Sequence, residues 1–207
     1  MFISIEGIEG CGKSTLVNGL SEHLQNKKIG HVITKEPGST SIGKILRKIL
    51  LDKKQQISPL TELLLMFSDR LDHLEKVIKP SLKEGKIVIT DRYIDSTYAY
   101  QGAGRGISKD IINNLVTQTE ILLPDKTILL DLDPEIGLKR ASSRNELDRF
   151  ESENLEFHKR LRKSFLKAAE TNPERFLIIN AKDKPKKILQ IVINKLSTYD
   201  ERLKESY

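Results

Sequence analysis

Between Gly7 and Ser14 the chain reads Gly-Ile-Glu-Gly-Cys-Gly-Lys-Ser, a glycine-rich turn that ends in a lysine and a hydroxyl. These residue types at this spacing suit phosphate binding. Glycines let successive backbone N–H groups converge on phosphate oxygens, and a helix starting at the lysine adds the positive end of its dipole. Lys13 is then placed to bridge the β- and γ-phosphates of ATP, and the Ser14 hydroxyl to ligate Mg²⁺. Gly7, Glu9, Gly10, Cys11, Gly12, Lys13, Ser14 and Thr15 form the candidate ATP-binding set. As a bare string the same residues also make an ordinary tight turn, so the flanking elements decide. Cys11 is the only cysteine. Beside Lys13 at a helix N-terminus it is either a thiol of lowered pKa or simply the small residue that the loop requires.

A second run, Thr90-Asp91-Arg92-Tyr93-Ile94-Asp95-Ser96-Thr97-Tyr98-Ala99-Tyr100-Gln101, follows an apolar stretch. An acid leaving a buried strand beside a phosphate-binding loop can orient Mg²⁺ through water, and the adjacent arginine can clamp an anion. A surface ion pair is the plainer alternative for Asp91 and Arg92. Asn-Lys-x-Asp, the pattern that reads guanine, is absent, which argues against a switch GTPase.

Both runs need a scaffold, and short apolar runs alternate with helical patterns along the whole chain. Phe2–Glu6, His31–Lys35, 87–90, 127–132 and 176–179 are expected as strands of one parallel sheet of about five. The fold class is therefore α/β, a parallel sheet flanked by helices. Leu16, Val17, Leu20 and Leu24 share one helical face, as do Ile42, Ile45, Leu46 and Ile49. Ser58-Pro59 opens a long helix striped by Leu60, Leu63, Leu64, Phe67, Leu71 and Leu74, which supplies either core or the face for a second copy. The glycines of 101–106 suggest a flexible loop, and 141–154, charged with little apolar face, a mobile lid. No linker or repeat divides residues 1–207, so one domain is expected.

The 207 residues are 38% hydrophobic and 31% charged, which is globular composition and not disorder. No apolar stretch is long enough for a membrane span and no export signal opens the chain, so the expected setting is cytoplasmic. A net charge of +6 favours an anionic partner. Nucleic acid fits poorly, because the bases are interspersed with acids and form no basic, aromatic stripe. The four histidines have no metal-ligand or triad spacing, so His158 and the others read as surface or packing residues.

Together the two runs resemble those of thymidylate kinases of the P-loop NTPase class, from Phe2 to about residue 180. The Asp-Arg-Tyr-x-x-Ser-Thr-x-Ala-Tyr-Gln run is the most specific element. Glu36-Pro37-Gly38, Leu46-Arg47, Leu65-Met66-Phe67 with Arg70, and Leu147-Asp148-Arg149 support it in order. The resemblance implies ATP-dependent phosphorylation of dTMP to dTDP, a step in dTTP synthesis for DNA replication, with Mg²⁺. It implies an NMP-binding region at about 36–75, a lid at about 141–154 and a homodimer.

Carried over position by position, it makes Phe67 the ring stacked on thymine, and Arg70 and Gln101 the groups that read the base. Arg47 and Arg92 hold the monophosphate, Glu9 accepts from the sugar 3′-hydroxyl, and Tyr100 crowds out a 2′-hydroxyl. Glu36, Ser96 and Thr97 complete the acceptor set. Lys13, Asp91, Arg92 and the lid arginines Arg144 and Arg149 form the catalytic set, with Ser14 and Asp91 toward the metal. Lys35 and Ser39 depart from the arginine and second glycine common in the family. The phosphate loop has Gly10-Cys11 where one branch has a base, so the chain resembles the mainly bacterial branch. Taken alone, Phe67 reads as core and Arg47 as a solvated helix residue. Another nucleoside or NMP kinase is the alternative activity.

Overall fold

The computed structural model describes residues 1–143 and 147–203. Five parallel strands, β1 (Phe2–Glu6), β2 (His31–Lys35), β3 (Ile87–Asp91), β4 (Lys126–Asp131) and β5 (Phe176–Asn180), form one sheet in the order β2-β3-β1-β4-β5. Each expected strand is present, with ends displaced by a residue at most. All five residues of β1 are buried, as helices on both faces of the sheet require.

The helices among the described residues are α1 (Lys13–Asn26), α2 (Ser41–Leu51), α3 (Pro59–His73), α4 (Lys79–Lys83), α5 (Ile94–Thr97), α6 (Lys109–Gln118), α7 (Pro134–Ser142), α8 (Leu155–Thr171) and α9 (Pro185–Leu196). α1 buries Leu16, Val17, Leu20 and Leu24 as its periodicity requires. The Ser58 hydroxyl caps α3 by accepting from the Thr61 N–H, and Pro59 occupies the first turn, where its missing N–H costs nothing. None of these helices is long and apolar enough to cross a membrane.

Burial divides into two clusters. The larger packs α1, α8 and α9 on the sheet; the smaller gathers Phe2, Leu63, Phe67, Leu74, Val88, Tyr93 and Ile112 around α3 and β3. The apolar stripe on α2 does not reach either, and Ile42, Ile45 and Ile49 are exposed, as are Leu60 and Leu64 on α3. Gly43 and Leu50 are the α2 residues that go inside.

Residues 101–106 are not the flexible loop that their glycines suggest. Tyr98–Gly104 form a wide helical turn continuing α5, closed by the Arg105 N–H on the Tyr100 carbonyl at 2.9 Å. Gly104 is there for packing: a Cβ on it would stand 2.6 Å from the Phe157 ring of α8. A similar close approach joins the phosphate loop to α7, where a Cβ on Gly10 would lie 2.0 Å from the Gly137 carbonyl oxygen.

Candidate active site

The chain leaves β1 with β3 on one side and β4 on the other, so the crevice beyond its carboxyl end lies at a topological switch point. The glycine-rich loop fills that place. Gly12, at φ 98°, adopts the left-handed turn that starts α1, a conformation a side chain would strain. Lys13 then folds back, its Nζ donating to the carbonyls of Gly7 and Ile8 at 3.1 Å each. Ser14 Oγ lies 3.4 Å from Asp91 Oδ2 at the end of β3. A hydroxyl and a carboxylate oxygen so placed suit Mg²⁺, which takes few protein oxygens and completes its shell with water and phosphate.

Arg92 follows at φ 72°, unusual for a residue with a side chain, and the kink turns its guanidinium back over the loop. Its Nη1 donates to the Gly7 carbonyl at 2.9 Å and to Ser96 Oγ at 3.2 Å, and its Nη2 to Glu9 Oε1 at 3.1 Å. Burial opposes the charge on Arg92, but Tyr100, Glu9, Asp91 and Glu6 around it raise the guanidinium pKa further. It remains a cation.

Glu9 is the buried partner of three groups. Arg92 and the Tyr100 hydroxyl donate to Oε1, and His158 Nδ1, from α8, donates to Oε2 at 3.0 Å. Burial alone would raise this carboxyl; the His158 hydrogen bond, Arg92, Lys13 and Tyr100 override it and hold its pKa down at about 2. His158 is therefore a buried contributor to the site and not a surface or simple packing residue. Its spacing gave no sign of this, because the contact spans 149 residues.

On the other wall Arg70 donates from Nε to Glu36 Oε2 at 2.8 Å, from Nη1 to Thr97 Oγ1 at 2.8 Å and from Nη2 to the Tyr93 carbonyl at 3.1 Å. His73 Nδ1 bonds the second Glu36 oxygen at 2.9 Å. Glu36 thus holds Arg70 in position. Arg47 reaches the Pro37 carbonyl and lines the same cavity of about 300 Å³, with Tyr100 and Gln101.

Phe67 is placed differently. It is buried in the smaller core with the Arg70 guanidinium 5.5 Å from its ring, and its neighbour Met66 lines the cavity.

Two further results bear on the sequence expectations: one favours the plainer of the two readings of Cys11, the other departs from the mobile lid. Burial pushes the Cys11 thiol pKa up against the attraction of Lys13 and Arg92, so the loop position takes a small buried residue and not an activated thiol. The second half of 141–154 is docked. Arg149 donates from Nε to the Leu50 carbonyl at 2.8 Å and from Nη1 to Glu62 Oε2 at 2.7 Å, while Phe150 is buried with its ring edge against Tyr100. Arg144 lies outside the described residues.

Glu62, which sequence reasoning passed over, is fully buried and accepts from Arg149, Arg105 and Gln101. An acid in a helix's first turn ordinarily answers the helix dipole, so its position carried no distinguishing signal. On the far side of the phosphate loop a second groove is lined by Gly12, Thr15, Arg140 and Ala181.

A phosphate-binding loop between two grooves, one of them walled by Arg47, Arg70 and Arg92, defines a nucleotide-dependent phosphotransferase. The family model described as "Thymidylate kinase" matches residues 5–192. A thymidylate kinase of Carboxydothermus hydrogenoformans is 45% identical over 188 residues, covering 90% of this chain and 92% of that one. One from Pseudomonas fluorescens is 45% identical over 204 residues, covering 98% and 97%. The crystal structure of thymidylate kinase from Ehrlichia chaffeensis superposes with a TM-score of 0.77 at 36% identity, covering 95% of this chain and 98% of that one. The chain belongs to the thymidylate kinase family.

Proposed function

We propose that the arginine-walled cavity takes dTMP, that the loop and the groove beyond it take ATP, and that transfer occurs between them. The reaction is the ATP-dependent phosphorylation of dTMP to dTDP. The observation that carries this reading is the meeting of Lys13 Nζ and Arg92 Nη1 on one carbonyl, that of Gly7, at 3.1 and 2.9 Å. One cation comes from the loop side and the other from the acceptor side. Phosphates entering from the two grooves would draw both cations from a backbone oxygen to the charge that develops between donor and acceptor.

Within this reading Lys13, Arg92 and the lid arginines Arg144 and Arg149 neutralise the transferred group, and Arg47 with Arg92 holds the monophosphate. Glu9, kept ionised, accepts from the sugar hydroxyl while Tyr100 closes the space beside it. Arg70 and Gln101 read the base with Ser96, Thr97 and Glu36 behind them; Phe67 supports Arg70 from the core. Ser14 and Asp91 would hold Mg²⁺, which when bound neutralises phosphate charge. A phosphate acceptor is already ionised, so positioning and charge neutralisation suffice and no carboxylate base is needed. A homodimer covering the exposed stripes of α2 and α3, and a cytoplasmic setting, belong to the same proposal.

Coupled ADP release measured with each nucleoside monophosphate in turn tests it. The expected result is turnover with dTMP well above the cytidine, adenosine and guanosine monophosphates; comparable turnover with any of these would overturn the acceptor assignment.

A further inference from the structure

A glutamine side chain is an ambiguous reader, because rotating its amide by half a turn exchanges a donor for an acceptor. Gln101 lines the acceptor cavity. Its orientation is not left open, because Nε2 donates to Glu62 Oε1 at 2.8 Å. Glu62 is fully buried and stands between two guanidiniums, Arg149 Nη1 at 2.7 Å and Arg105 Nε at 3.2 Å from its Oε2. Flanked by two fixed cations the carboxylate is charged, and a charged carboxylate only accepts. One N–H of Gln101 is therefore committed to Glu62, which fixes the orientation of the amide and leaves its carbonyl oxygen as the acceptor for a ligand.

Arg70, on the same cavity, is the complement, since a guanidinium only donates. An acceptor and a donor together match a base edge that offers an N–H beside a carbonyl, as N3–H and C4=O of thymine do. Cytosine offers the reverse, a bare N3 and an amino group, and would meet lone pair with lone pair and N–H with N–H. We infer that Glu62 is a specificity-determining residue that selects thymine over cytosine by locking the Gln101 amide with its carbonyl oxygen toward the base. It acts through Gln101 and touches no substrate, so it is a positioning residue. The inference rests on the reading of Gln101 and Arg70 as the base pocket.

The experiment measures kcat/KM for dTMP, dUMP and dCMP in the wild type, Glu62→Gln, Gln101→Leu and Arg105→Ala. Glu62→Gln supplies both an acceptor and a donor, so the Gln101 amide can turn, and the dTMP/dCMP ratio should fall at least about tenfold. The dTMP/dUMP ratio should hold, because uracil has the same edge. Arg105→Ala removes one partner of Glu62 without touching the Gln101 bond and should keep the dTMP/dCMP ratio.

If Gln101→Leu leaves the dTMP/dCMP ratio unchanged, the pocket reading is wrong. If Gln101→Leu lowers it and Glu62→Gln does not, only the inference is overturned. The wild type gives an independent readout should Glu62→Gln fail to fold. The Gln101 side-chain NH₂ resonances, assigned by their loss in Gln101→Leu, should be slow to exchange with solvent both free and with dTMP bound. Rapid exchange in the dTMP complex would overturn the lock without any change at Glu62.

Discussion

His158 Nδ1 stands 3.0 Å from Glu9 Oε2, joining the first turn of α8 to the phosphate loop through two buried side chains. Glu9 also accepts from Arg92 and Tyr100 on Oε1, so the imidazole on Oε2 completes the set of donors that holds the carboxylate in place. His158→Leu removes that donor from a buried carboxylate, a loss of about 1–3 kcal/mol in stability. The KM for dTMP should rise about tenfold while the KM for ATP changes little. His158→Asn, whose amide nitrogen falls near the lost Nδ1, should recover part of the acceptor KM. Steady-state kinetics with each substrate varied, beside urea melts, checks both effects.

Lys13→Ala should reduce kcat by about 10²-fold or more with little change in melting temperature. The ammonium's partners, the Gly7 and Ile8 carbonyls and Cys11 Sγ, all belong to its own loop. Retention of near wild-type turnover would remove Lys13 from the catalytic set.

Arg149 has both a structural and a proposed catalytic place. Arg149→Ala leaves Glu62 with Arg105 and Gln101, so the fold should survive with a lower melting temperature. Turnover should fall by about 10³-fold if the residue neutralises the transferred group, with nucleotide affinities changed only a few fold. Equilibrium binding and single-turnover rates on the same preparation separate the two effects; wild-type turnover would leave Arg149 a structural clamp.

Stability should fall as pH rises because of Glu6. Its carboxyl is fully buried, accepting from the Tyr93 N–H at 2.8 Å and Ser96 Oγ at 2.6 Å. Burial and the nearby Asp95 hold its pKa above the ordinary value of 4.5, outweighing Ser96, Arg92 and Tyr93. A carboxyl whose folded pKa exceeds its unfolded one binds more protons in the native state, so its contribution to stability is full below pH 4.5 and declines above it. Urea midpoints from pH 5 to 8 should fall less steeply in Glu6→Gln than in the wild type. Parallel slopes would contradict the assignment.

Cys11, 2% exposed and with its thiol pKa raised by burial, should alkylate far more slowly in the folded protein than after unfolding. Labelling at the unfolded rate would show that the loop opens to expose it.

The phosphate loop, the five strands and the Asp91-Arg92 corner were legible from residue order, because each rests on local chemistry. Glycine spacing, β-strand runs and a helix start act over a few residues. The long-range pairings that hold these groups, and the parts of His158 and Glu62 in them, were not legible. His158 meets Glu9 and Arg149 meets Glu62 across 149 and 87 residues. Neither pairing leaves a periodic trace, since a buried ion pair is set by how elements pack and not by neighbours in the chain. The same limit explains the remaining differences. Phe67, Ile42, Ile45 and Ile49 are apolar residues on striped helices, and periodicity alone cannot say which stripe faces a core, a cavity or solvent. Packing sent Phe67 inward behind Arg70 and left the α2 stripe exposed, while the bulk of Phe157 filled the space that the glycine of 104 vacates. Residue types along the chain determined that phosphate would be bound; the way α3 and α8 close on the sheet decided which side chains the acceptor would meet.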